Sequence, residues 1–288
     1  MGSKEKRDFY SHVEACSGML KCYSSRTLCA EPNGKYEVSV HYNELEIYHF
    51  LSGDLFFSFE GRRIPVHDGD MIVIANNMLH KPIIQSVCDY QRERIIFKKD
   101  IFKQLSASGL ELYRVLAKQK ILICSREIVE GHRLDRMFSE IQRCCGECTA
   151  YGDFCALISL FSFLIKAEQH SMKADQPSLE DQPRQNGKVL AIAKYIDENL
   201  SEDLSYRVIA QKFFLSEKNL YKLFKKETGF TLSDYINERR IIMAQSLMNA
   251  GASAGDAAIQ VGYKEYSVFY RNFKKRAGLA PTEYHHFK

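Results

Sequence analysis

The stretch that decides the fold is Tyr263 to Phe287, YKEYSVFYRNFKKRAGLAPTEYHHF. With the residues just before it, it predicts a short helix, a turn at Gly262 and a second helix. The second helix carries Tyr266, Ser267, Tyr270, Arg271 and Lys274 on one side, with Val268, Phe269 and Phe273 on the other. The apolar stripe has the spacing a helix needs to pack on a domain. The basic, aromatic and hydroxyl-bearing stripe beside it suits entry into a DNA groove.

The same pattern stands earlier in the chain. Ala210 to Tyr235 reads AQKFFLSEKNLYKLFKKETGFTLSDY, and Ala258 to Tyr284 reads AIQVGYKEYSVFYRNFKKRAGLAPTEY. Phe224-Lys225-Lys226 matches Phe273-Lys274-Lys275, Gly229 matches Gly278, Asp234 matches Glu283 and Tyr235 matches Tyr284. The second copy has one extra residue in its turn. Such a repeat means two copies of one supersecondary unit, able to address successive faces of the major groove. In the first copy Lys218, Tyr221, Lys222 and Lys225 face outward, while Leu220, Leu223 and Phe224 face the core. Ser205, Ser216 and Ser253 stand where hydroxyls cap helices. Gly229 stands where a helix ends in the left-handed region. Leu232 to Asn249 is the helix between the units.

These two units and the helix between them resemble the DNA-binding domain of AraC/XylS-type transcription regulators. The second unit carries the family's pattern as Gly262-Tyr263, Phe269, Arg271, Phe273-Lys274-Lys275, Gly278, Pro281 and Tyr284. The resemblance covers roughly the last hundred residues. It implies a sequence-specific, non-enzymatic DNA-binding regulator that acts at promoters with RNA polymerase. In the expected roles Arg271 reads a guanine or clamps a phosphate, and Tyr221 and Tyr270 touch thymine methyls or sugars.

Charge agrees with that placement. The chain of 288 residues has a net charge of +4, and from Lys188 onward there are 16 Lys and Arg against 11 Asp and Glu. The basic excess therefore falls where phosphate contacts are needed. A length of 288 suggests two domains. No run of about twenty consecutive apolar residues argues for a membrane span, and the first residues hold no signal-peptide core. The expected location is the cytoplasm, with the nine cysteines as reduced thiols. Cys145 and Cys148 form a lone C-x-x-C, better explained by helical packing than by metal or redox chemistry.

The first hundred residues read as strands. Tyr36–Val40, Leu45–Leu51, Leu55–Phe59, Ile64–His67, Met71–Ala75 and Tyr90–Phe97 are separated by Ser-Gly-Asp, Glu-Gly and Asp-Gly-Asp turns. HYNELEIYHFLSGD and HDGDMIVIANNMLHKP are similar to the two halves of a cupin barrel. The fold class expected is thus α+β: a cupin-like β-barrel with dimerisation helices, then an all-α domain of two helix-turn-helix units. The domain boundaries are 1–170, a linker at 171–187 and 188–288.

A metal-binding cupin carries a His pair, a Glu and a further His. Here Glu46 and His80 stand at matching places, but His41 lies five residues before Glu46 and its pair is broken. Two ligands and a displaced third are thin for Zn or Fe, so no metal and no cofactor is expected. A small-molecule pocket is the better reading, with Glu46, Tyr48, His80 and Arg94 as effector-binding candidates. A carboxylate, a phenol, an imidazole and a guanidinium suit a carbohydrate. The plainer alternative makes Tyr48 barrel core, His80 a loop cap before Pro82 and Arg94 solvated.

Ile101–Lys118, His132–Cys145 and Phe154–Lys166 have helical spacing, the last apolar almost all round. Such a helix wants burial on more than one side; the family resemblance implies a homodimer contact there, and burial within its own subunit is the plainer alternative. Rival readings are a cupin-type isomerase or dioxygenase with a helical tail, a cysteine-based sensor, and a constitutive regulator with a purely structural barrel.

Overall fold

The computed structural model describes residues 7–32, 39, 41, 43–59, 62–147, 149–171 and 184–284. The chain divides into two compact units, Met1–Phe57 with Ile64–Asp181, and Gln182–Lys288 with the short segment Ser58–Arg63.

The first unit opens with β1 (Arg7–Ala15), β2 (Leu20–Ala30), β3 (Glu44–Ser52), β4 (Leu55–Phe59), β5 (Arg62–Val66), β6 (Met71–Ile74), β7 (His80–Ile84) and β8 (Cys88–Lys98). Then come α1 (Ser106–Gln119), β9 (Ile121–Cys124), α2 (Arg126–His132), α3 (Leu134–Gly146) and α4 (Ala150–His170). One sheet has the order β1-β2-β8-β3-β6-β9 and a second the order β5-β4-β7. All pairings described in the larger sheet are antiparallel. Ladder pairing among the described residues thus gives separate sheets of six and three strands. An isolated bridge between Ser39 and His80 brings one further segment beside β7.

Period-two alternation gives the larger sheet two unlike faces. Leu45, Ile47, Met71, Val73, Ile95, Phe97, Leu122 and Cys124 belong to one buried cluster with Phe138 and Ile141 of α3 and Leu160, Phe163 and Leu164 of α4. Glu46, Tyr48, Tyr90, Arg92 and Arg94 alternate with those residues and point the other way. Phe57 of β4 and His80 of β7 lie against that second face, both within 6.3 Å of the Tyr48 ring by centroids.

Several boundaries differ from the sequence reading. The strand expected at Tyr36–Val40 falls outside the described residues apart from Ser39. The helix expected from Ile101 begins as a 3-10 turn, Lys99–Leu105, before α1. The helix expected from His132 is broken by Arg133, which takes a left-handed φ of 57° between α2 and α3. α4 is long and apolar enough by composition to cross a membrane. It nonetheless buries Ala156, Leu160, Phe161, Phe163, Leu164 and Ala167 in the unit's own core, as a core helix does. Thr149 caps its start by accepting a hydrogen bond from the Gly152 N–H at 2.9 Å.

The second unit is helical: α5 (Arg184–Glu198), α6 (Tyr206–Lys212), α7 (Glu217–Thr228), α8 (Leu232–Asn249), α9 (Ala254–Gln260), α10 (Tyr266–Ala277) and α11 (Pro281–Tyr284). α5 starts inside the stretch read as linker, most of which lies outside the described residues.

Candidate DNA-binding surface and interior polar cluster

The two helix pairs, α6–α7 and α9–α10, follow from local rules. Ser205, Ser216 and Ser253 each accept a hydrogen bond from the backbone N–H three residues on, at 3.4, 3.2 and 3.1 Å. Each satisfies a donor that the first helical turn leaves without an intrahelical partner. The turn of the first pair spans four residues and that of the second spans five, so the extra residue sits where the repeat placed it. α7 ends at Gly229 (φ 77°) and α10 at Gly278 (φ 78°), each donating its N–H to the carbonyl four residues back. Behind each helix an aromatic pair meets edge to face: Phe224 with Tyr235 at 5.3 Å, and Phe273 with Tyr284 at 5.6 Å. One packing solution thus occurs twice.

The turn of the second pair needs glycine. Gly262 has φ 87°, and a Cβ there would lie 2.6 Å from the Leu200 carbonyl oxygen and 2.9 Å from that of Ser201. Arg240 supports the same corner by donating to the carbonyls of Leu200 and Glu202. Arg276 pairs with Glu238 at 2.7 Å, fixing the end of α10 against α8.

Every polar position predicted to face DNA lies away from this core. Lys218, Tyr221, Lys222 and Lys225 on α7 are exposed, as are Tyr266, Ser267, Arg271 and Lys274 on α10, and Tyr270 is half-buried. Phe224, Phe269 and Phe273 are fully buried behind them. Lys225 donates to the Tyr221 hydroxyl at 3.1 Å, which orders two of the candidates together. Val268 and Leu223 are only partly covered.

In the first unit the four effector candidates do converge. Arg94 sits beside Tyr48 and Tyr23 in the strand register, its guanidinium 5.7 and 5.2 Å from their ring centroids. It donates to Glu46 Oε1 at 3.3 Å. His80 Nε2 lies 2.8 Å from Glu46 Oε2. Burial pushes the Glu46 carboxyl up, but His41 and His80 outweigh it and hold the group well below the usual carboxylate range. Burial likewise raises the Tyr48 phenol. The reading of Arg94 as merely solvated is not what the fold shows, and Tyr48 is both buried and part of the cluster.

His41 corrects the sequence reading. Its Nε2 reaches Glu46 Oε2 at 3.3 Å and its Nδ1 lies 3.5 Å from Glu44. Burial pulls its pKa down, but the two carboxylates dominate and raise it to about 9. The residue looked displaced because its position is set by pairing rather than spacing. Ser39 exchanges backbone hydrogen bonds with His80, and the Asn77 N–H donates to the His41 carbonyl at 2.7 Å. Those bonds carry the imidazole back over Glu46.

A helix-turn-helix domain family matches residues 209–286, from within α6 through α11. Regulatory protein SoxS of Escherichia coli (strain K12) is 32% identical over 93 residues, spanning 32% of this chain and 87% of SoxS. This chain belongs to the AraC family of transcription regulators. The lactose operon transcription activator of Staphylococcus xylosus is 33% identical over 95 residues, which is 32% of this chain and 34% of the activator. Among solved structures, ToxT from Vibrio cholerae O395 aligns over 99% of this chain and 98% of its own, at 16% identity and a TM-score of 0.35.

As an AraC-family member the protein is a DNA-binding transcription regulator and not an enzyme. Sequence reasoning missed two residues of its interior cluster. Tyr90 is buried, and its ring lies 4.5 Å from the Arg92 guanidinium. The signal was available: Tyr90, Arg92 and Arg94 alternate along β8, so all three share the face of Arg94.

Proposed function

We propose that this AraC-family protein reads promoter DNA with α7 and α10 and answers to a small metabolite held by its N-terminal unit. The observation that carries the DNA half is the duplicated helix pair, each copy burying phenylalanines and turning lysines, tyrosines and Arg271 to solvent. Lys218, Lys222, Lys225 and Lys274 are the phosphate contacts in this reading. Tyr221, Tyr266, Ser267, Tyr270 and Arg271 supply groove contacts. Arg271→Ala is expected to weaken specific binding by ~1–3 kcal/mol and to relax preference at one base pair, if Arg271 reads a base. A gel-shift titration of wild type and variant on a selected operator checks it. Equal affinity and equal base preference would remove Arg271 from that role.

The sensor half is a cupin-like double sheet whose inner face carries Glu46, Tyr48, His80 and Arg94. Their mixture of acceptor, donor and aromatic groups favours a carbohydrate effector. Such a ligand regulates only by binding one arrangement of the protein better than another. The homodimer is built on α4, whose Tyr151, Phe154, Ile158 and Ile165 are large, apolar and exposed along one helix face. The regulator works in the cytoplasm, where promoter and RNA polymerase are, and the stretch 171–187, into which α5 reaches, is read as the linker between its two halves.

A further inference from the structure

We propose that His41, Glu46 and His80 form a binding site for one divalent first-row transition ion. The site goes beyond the effector reading and does not depend on it.

Three chain segments contribute. Glu46 comes from β3 and His80 from the first position of β7. His41 comes from the segment that Ser39 and Asn77 tie alongside β7. One potential ligand atom from each residue lies within 4.8 Å of the other two. The His80–Glu46 and His41–Glu46 separations are 2.8 and 3.3 Å. Two ligands each about 2.1 Å from an ion and set at 90–110° to each other stand roughly 3.0–3.4 Å apart. The measured pairs fall close to that spacing, and His41, the one partly covered member of the three, stands at the outer edge of the cluster.

The chemistry of the remaining atoms points the same way. His80 Nδ1 is 2.9 Å from the Met78 carbonyl oxygen, which can only accept, so Nδ1 carries a proton. That leaves Nε2 as the nitrogen facing Glu46 Oε2 at 2.8 Å, so the contact is bridged by a positive centre, a proton or a metal ion. His41 repeats the pattern, with Nδ1 toward the Glu44 carboxylate and Nε2 toward Glu46 Oε2. A ligating histidine whose other nitrogen is held by a carbonyl or a carboxylate is the usual outer shell of a metal site. Arg94 occupies Glu46 Oε1 and so aims Oε2 at the two imidazoles. Two imidazoles and one carboxylate suit Zn2+, Fe2+, Co2+ or Mn2+, not a hard all-oxygen cation or Cu(I).

The probe is Co2+ added to chelator-treated full-length protein, followed by visible absorption and equilibrium dialysis. One equivalent is expected, with a d–d spectrum of nitrogen and oxygen ligation and no thiolate charge-transfer band. That last feature matters because buried thiols such as Cys22 and Cys145, 3.5 Å apart, are the competing ligands. His41→Ala, at the accessible edge of the cluster, is expected to lose about a hundredfold or more in affinity, and Glu44→Gln about tenfold or more. Their metal-free circular dichroism and melting curves report whether the fold is intact. Stoichiometric binding that survives His41→Ala in a folded protein would overturn the site. So would a thiolate spectrum, or the absence of any binding at micromolar Co2+; in that case a proton bridges Glu46 and the imidazoles. None of these outcomes bears on operator binding.

Discussion

At the scale of single residues, the two helix-turn-helix turns differ in one informative place. Gly262 takes a left-handed φ without penalty, while Phe214, in the turn of the first pair, takes φ 54° with a side chain that is 94% exposed. A non-glycine residue held there loses roughly 1–2 kcal/mol, and glycine's larger unfolded-state freedom returns part of that. Phe214→Gly is therefore expected to raise stability by about 0.5–1 kcal/mol. Gly262→Ala should lower it by about 2–3 kcal/mol, because strain and the Leu200 and Ser201 carbonyls act together. Urea midpoints at constant slope measure both; a Phe214→Gly protein less stable than wild type would show that the ring is held by contacts of its own. The serine caps, Gly229 and Gly262 were legible in the sequence because each obeys a rule confined to a few neighbouring residues. His41 was not legible, since only the pairing of Ser39 with His80, forty residues away, decides where its ring lies.

At the scale of elements, long periodic segments were readable and short ones were not. α8 runs from Leu232 to Asn249 as its spacing and flanking turns indicated. β9 is four residues, Ile121–Cys124, set among helices, and only its pairing with β6 makes it a strand. β1 and β2 form the edge of the larger sheet, and their polar-rich alternation gave no separate signal. α4 leaves Tyr151 86%, Phe154 64% and Ile158 51% exposed on a helix that otherwise packs tightly. Phe154→Glu with Ile158→Glu should turn a dimer into a monomer in sedimentation equilibrium without lowering the melting temperature, since neither side chain is buried in the subunit. A wild-type protein that sediments as a monomer throughout the micromolar range would end the proposal that α4 dimerises the protein.

At the scale of the whole molecule, the charge asymmetry between the halves becomes a measurable exponent. Four cationic side chains on the proposed DNA face, Lys218, Lys222, Lys225 and Lys274, are assigned to phosphates. If all four meet phosphates, the logarithm of the binding constant should fall with the logarithm of salt at a slope of about −3.6 per chain. Lys222→Ala should reduce that slope by about 1 and leave base preference unchanged. A slope near zero would place the binding energy elsewhere than in phosphate neutralisation. The proposed carbohydrate effector and the proposed dimer were the least legible, because each depends on partners that the chain only implies.

α8 is one uninterrupted rod of 18 residues, about 27 Å from end to end, with a reading head at either side. No hinge separates the heads within it, so they cannot be set independently. Such a protein gauges distance as well as lettering, and a site with the right letters at the wrong interval is, to it, a different site.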